Sequence, residues 1–269
     1  MTLLACWVGV DRGKFGYRPA SIYITTDSQF STGANSTFSF GKKTFSMLNH
    51  PDIFGYCGDV LFPTTILGQI IEQADRGILF AENASVIEKF NIIFSIIKNA
   101  IAVYPASWTA RSFTILYATR DFEQRFHCYR IYWKTKIEAK FEKLALPERS
   151  GLVTVEGHKR KEAKLRFSLE YDISKNNNVG TSRTVYHWFT DTLEKNKSYK
   201  IGKIPQIVGL YRNGNAKTFG IIKGNERYLG GSKINNIENL NFVEWRNELF
   251  ERCDPNKLII LDAAQRQPR

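Results

Sequence analysis

The stretch TLLACWVGV at residues 2–10, followed after a turn by SIYITTDSQ at residues 21–29, decides how the rest of the chain is read. Residues 3–10 and 22–26 are apolar, β-rich runs, and the Gly, Pro and charge-rich segment 11–19 between them predicts a hairpin. Two further short strands are expected at 43–48 and 53–57, joined by Asn49, His50, Pro51 and Asp52, residues that favour a turn. After Gly58 the period changes to that of a helix. Ile66, Leu67, Ile70, Ile71 and Ala74 predict one helix over 62–76, and Val86, Phe90, Ile93, Ile97 and Ile101 a second over 84–103. Strand composition returns at 113–118, 126–133 and 151–155. Helices are expected at 159–171 and from Thr181 or Ser182 to Glu194, with 175–180 as the linker between them. Residues 206–211 and 217–222 flank the turn Arg212–Asn215 and predict a hairpin, 242–253 a last amphipathic helix, and 262–269 a frayed tail. No repeat or low-complexity linker interrupts this order, so the expectation is one domain over 1–269. Strands as apolar as LLACWV and QIVGLY need cover on both faces, and the expected fold class is therefore α+β, a four-layer αββα sandwich.

Composition narrows the function classes without choosing one. Of 269 residues, 43% are apolar and 24% charged, which excludes a disordered tail, a collagen and a coiled-coil rod. The formal net charge of +12 favours an acidic partner in general. The run 90–104 is broken by Asn91, Lys98 and Asn99 and is too short to span a bilayer, and residues 1–14 do not read as a signal peptide, so the expectation is a cytoplasmic chain with no membrane partner. Cys6, Cys57, Cys128 and Cys253 lie far apart with no metal-ligand spacing, and neither a metal site nor a disulfide framework is expected.

Four residues carry a more specific signal. Thr2 directly follows Met1, TTDSQ supplies Asp27, GKKTFSM supplies Lys43, and FGYCGD supplies Gly58. In that order they resemble the proteasome β-type family of N-terminal nucleophile (Ntn) hydrolases, which includes the bacterial proteasome-like peptidases. The 16-residue step from Asp27 to Lys43 matches that family's pattern, and the longer step from Thr2 to Asp27 reflects an enlarged first hairpin. The resemblance implies an Ntn-hydrolase fold, a peptide or protein substrate, no cofactor, and assembly into a homo-oligomer that encloses its sites. It also implies that Thr2, exposed by removal of Met1, is the nucleophile with its own α-amine as base. Lys43 and Asp27 would then tune the hydroxyl, and the Gly58 N–H would donate to the oxyanion. The chemistry suits these residue types: an α-amine ionises near neutral pH, and a lysine beside a hydroxyl lowers its pKa while an aspartate holds the lysine charged. Downstream the pattern departs. VEGHKR places His158 where the family has a serine, and SYKIGK places Ser198 and Ile201 where it has an aspartate and a serine, before Gly202.

Taken singly, each residue has a plainer reading. Thr at position two favours Met1 removal, Asp27 suits a strand-end cap, Lys43 a solvated charge, and Gly58 a turn with positive φ. Lys42 is an alternative to Lys43, since strand alternation points only one of them inward. Cys57 beside Gly58 is a candidate reactive thiol near the expected pocket, against the plainer reading of an inert buried core residue. His50, His127, His158 and His187 are scattered, and the run HKRKEAKLR reads as the solvated face of a helix rather than as a nucleic-acid contact. A non-catalytic scaffold or regulatory subunit of the same fold is the alternative to the hydrolase.

Overall fold

Side chains alternate sides along a strand, so a first strand that is apolar on both sides must be packed on both. The computed structural model describes residues 2–13, 16–31, 36–105, 112–135, 138–171, 181–198, 201–236 and 238–264; the expected linker 175–180 and most of the tail lie outside them. The chain opens with β1 (Leu3–Gly13), β2 (Gly16–Asp27), the short β3 (Phe30–Ser31) and β4 (Thr37–Phe38), β5 (Thr44–Ser46) and β6 (Asp52–Gly58). Helices α1 (Leu61–Asp75) and α2 (Val86–Ala102) follow, then β7 (Ser112–Arg120), β8 (Phe126–Lys134), β9 (Lys140–Leu144) and β10 (Gly151–Gly157). Next come α3 (Arg160–Arg166) running into a π-helical turn, α4 (Ser182–Lys195), β11 (Pro205–Tyr211), β12 (Lys217–Lys223), β13 (Glu226–Leu229) and β14 (Ser232–Lys233). The chain closes with β15 (Glu244–Arg246), β16 (Arg252–Asp254) and β17 (Ile259–Ile260).

The larger sheet has ten strands with the main order β10-β1-β2-β11-β12-β15-β16-β17, and the smaller has five in the order β5-β6-β7-β8-β9. Alternation along β1 divides its neighbours. Leu4, Cys6 and Val8 face the smaller sheet and meet Ile53, Leu116 and Cys128, whereas Leu3, Ala5 and Trp7 face α4 and meet Trp188 and Phe189. The other face of the smaller sheet, with Phe54, Tyr56 and Tyr117, is packed by Leu67 and Ile70 of α1 and Phe90, Ile93 and Ile97 of α2. The start of α2 follows from its sequence: the Ser85 hydroxyl accepts from Glu88 N while the Glu88 carboxylate accepts from Ser85 N, a reciprocal capping box.

The expected four-layer αββα sandwich is corrected here. Strand outweighs helix, the larger sheet is mixed, and the described residues do not form the clear four-layer stack the pattern suggested. The decisive difference is at the C-terminal end, where the helix expected over 242–253 is instead the β15–β16 hairpin. Its apolar spacing fits a helix, but Asn247 Oδ1 accepts from Leu249 N at 3.0 Å and Glu251 N at 2.9 Å, which turns the chain. β15 then pairs parallel to β12 and gains a ladder that a helix would forgo. Strands β3, β4, β9, β13, β14 and β17 were likewise not expected from pattern.

Beneath α2 lies a buried ion pair. Lys89 Nζ meets Asp52 Oδ2 at 3.1 Å, and the Tyr117 hydroxyl donates to the other oxygen of Asp52, which is fully buried. Removing one partner of a buried pair strands the other charge, at a cost of about 3–5 kcal/mol. Asp52→Ala is therefore expected to lower the unfolding free energy by about that amount in urea titration, and a loss below about 1 kcal/mol would refute the assignment.

Candidate active site

Thr2 enters β1 where that strand lies between β2 and β10, with Leu3 opposite Gly157 and Leu4 opposite Thr26. Asp27 ends β2, and Lys43 stands one residue before β5. The two sheets thus bring together three residues that sequence spacing holds apart. Lys43 Nζ lies 2.8 Å from Thr2 Oγ1 and 2.9 Å from Asp27 Oδ2, and it also donates to the Gln29 carbonyl. Three acceptors match the three protons of an ammonium. Alternation decides between the neighbouring lysines: Lys43 is 1% exposed, and Lys42 is on the surface.

The Asp27 carboxylate is held by the main chain from three directions. Its Oδ1 accepts from Leu3 N at 3.1 Å, and its Oδ2 accepts from Gln29 N and Gly202 N, each at 3.0 Å. Burial pushes the Lys43 ammonium below its ordinary pKa, and the Asp27 charge and hydrogen bond oppose that fall without cancelling it. The pair is consequently an ammonium that gives up its proton more readily than a surface lysine, in contact with a hydroxyl oxygen. It can lower the cost of an alkoxide and exchange a proton with it.

Gln206 and Gly157 are residues of this site that the sequence reading missed, and Gly202 one that it named without a role. Gln206 Oε1 accepts from Lys43 N at 3.0 Å, while its amide donates to the Gly41 carbonyl, so β11 fixes the segment that carries the lysine. A glutamine in the run PQIVGLY, 1% exposed, was the available signal. Gly157 has φ +94°, and a Cβ there would stand 2.0 Å from the Thr2 carbonyl oxygen, so only glycine lets β10 pass Thr2 so closely. Gly202 supplies the main-chain donor to Asp27 described above. His158 and Ile201, which stand where hydroxyls were expected, keep a different service. His158 N donates to the Thr2 carbonyl at 2.8 Å, and the Ile201 side chain enters the core beside α4.

Gly58 ends β6 with φ +101°, and a Cβ there would lie 2.4 Å from the Ser112 carbonyl. The need for glycine at this position is met by the neighbouring strand β7, so it does not by itself speak for an oxyanion site. Cys57 is buried, and desolvation together with the Glu156 charge pushes its thiol up to about 12, which leaves it protonated and unreactive. The histidines do not converge. His50 bonds the Ala74 carbonyl, His127 pairs with Asp121, and His187 lies edge-on to Tyr171. Among the described residues no group of three or more His, Cys, Asp or Glu is placed to hold a metal.

No family model and no curated protein matches the sequence. The structure is similar to Anbu (ancestral beta-subunit) from Yersinia bercovieri, with a TM-score of 0.56 at 12% identity over 81% of this chain and 87% of that one. The likeness is one of fold. The family membership expected from residues 2–58 is corrected accordingly: no family model recognises the chain, and at 12% identity a shared fold carries no family assignment. The physical reason is that a few site residues in order are a small part of a chain of 269.

The lowered Lys43 pKa gives a signed expectation. Between the folded value and the ordinary 10.5, the unfolded chain binds more protons at this residue than the folded one, so its contribution to stability rises with pH. The stability difference between the parent protein and Lys43→Met, measured by urea unfolding, is expected to grow across the alkaline range up to 10.5. Parallel profiles for the two proteins would show that Lys43 titrates normally.

Proposed function

We propose that the protein is a threonine-type hydrolase that cleaves peptide or other amide bonds, with Thr2 as nucleophile after removal of Met1. What carries this reading is the single ammonium shared by Thr2 Oγ1 and Asp27 Oδ2 at 2.8 and 2.9 Å. In the proposed reaction the free α-amine of Thr2 takes the hydroxyl proton as Oγ1 attacks the carbonyl carbon. The C–N bond then breaks, the proton passes to the departing amine, and an ester remains on Thr2 until water hydrolyses it and restores the hydroxyl. Lys43 stabilises the developing negative charge on Oγ1, and Asp27 positions Lys43. The Gly58 N–H is assigned to the oxyanion.

The same reading treats residues 1–269 as one domain working in the cytoplasm within a homo-oligomer. The exposed Leu61, Ile78, Ile87 and Val103, on and beside α1 and α2, are assigned to subunit contacts. A second reading, a non-catalytic scaffold or regulatory subunit, draws its support from His158 and Ile201, which replace hydroxyls beside Thr2.

Protein purified from its native host and treated with a peptide epoxyketone separates the two. Intact mass is expected to show loss of Met1 and one adduct, absent in Thr2→Ala. Lys43→Ala is expected to slow adduct formation by roughly 10² or more. Retained Met1 with no adduct would favour the scaffold.

A further inference from the structure

A cavity of about 370 Å³ opens on the α4 side of Thr2. Its floor is apolar, made by Leu3, Ala163 and Ile201, and His158 stands at its edge. Two bonds tie it to the candidate nucleophile: Leu3 is the next residue in the chain, and His158 N holds the Thr2 carbonyl at 2.8 Å. Leu3 and His158 therefore border both the cavity and the Thr2 main chain.

The walls are cationic beyond what their own carboxylates balance. Lys159, Arg166, Lys195 and Lys197 line the cavity against one acidic residue, Glu162. Lys159 pairs with Glu162 at 3.1 Å. Arg166 and Lys195 share the carboxylate of Asp191, which also accepts from the Tyr171 hydroxyl, and Arg166 pairs in addition with Glu170 at 2.9 Å. Lys197 has no acidic partner among the described residues. The C-terminal carbonyls of α4, which would otherwise oppose an anion, are neutralised from elsewhere. Lys203 Nζ donates to the carbonyls of Leu193, Glu194 and Asn196. The lysines at the cavity wall are thus not needed as helix caps.

We infer that this cavity is a binding subsite for a carboxylate-bearing peptide, with the carboxylate held by the Lys195–Lys197 wall and the aliphatic stem on Leu3, Ala163 and Ile201. That such a peptide is the substrate rests on the hydrolase reading; that it binds does not. The subsite gives a local seat to the +12 net charge, which otherwise names no partner.

The test uses alanine-rich octapeptides that carry one Glu, or its uncharged isostere Gln, at each position in turn, titrated against the full chain by fluorescence anisotropy. At one or more positions the Glu peptide is expected to bind about three- to tenfold more tightly than its Gln counterpart. The preference is expected to shrink as NaCl is raised from about 50 to about 500 mM, and to disappear in the double variant Lys195→Met, Lys197→Met. Thr2→Ala is expected to retain it. Equal affinity for Glu and Gln peptides at every position, no binding, or a preference unchanged in the double variant overturns the subsite. A preference that persists without any epoxyketone adduct or peptide cleavage would leave the subsite standing and remove the hydrolase. Cleavage with no Glu preference would do the reverse.

Discussion

Burying a lysine ammonium is expensive, because the water it loses must be replaced by acceptors at every N–H. Lys43 is 1% exposed, and the protein meets that demand with the Asp27 carboxylate, the Gln29 carbonyl and the Thr2 hydroxyl. Each acceptor must in turn be held. Asp27 is held by three main-chain donors from three segments, the Gln29 segment by the end of β2, and the lysine's own backbone by Gln206. The position of the first residues of β1 follows from this demand, since Leu3 N is one of the donors that Asp27 requires. The candidate site is the place where the two sheets satisfy one charge jointly.

A second trio in the same chain has the same chemical parts. Asp52, Lys89 and Tyr117 are a carboxylate, an ammonium and a hydroxyl, all buried beneath α2. What separates the trios is the role of the hydroxyl. Tyr117 donates to Asp52, and burial with that neighbouring charge drives the phenol pKa far up, so its proton is fixed. Thr2 Oγ1 instead accepts from Lys43, and its own proton remains available for transfer. The direction of one hydrogen bond distinguishes a fixed hydroxyl from one whose proton is free to move.

Similarity of fold to Anbu does not choose between catalysis and scaffolding, because function lies in sites and folds host many. The proposed catalysis rests on the contact of Lys43 with Thr2 Oγ1, while His158 and Ile201 stand where hydroxyls were expected. Both residues line the cavity between α3 and α4.

Much of this was legible in the order of residues. Alternation in TLLACWVGV and the switch to helical period after Gly58 located β1, α1 and α2, because such patterns report which face each side chain buries. Thr2, Asp27 and Lys43 were legible for a different reason: buried charge chemistry tolerates few residue types, so their identities and order are informative in themselves. The helix expected at 242–253 and the even layering were misread, because spacing cannot show that β12 offers a free edge or that Asn247 turns the chain back. Tertiary structure alone decided the service of Gln206, whose side-chain amide bonds the main chain of Lys43 and Gly41, and of Gly157 and Gly202, which act through their own backbone on residues far away in sequence. A backbone N–H or a missing Cβ leaves little trace in residue identity, so contacts of that kind appear only when the strands are set side by side.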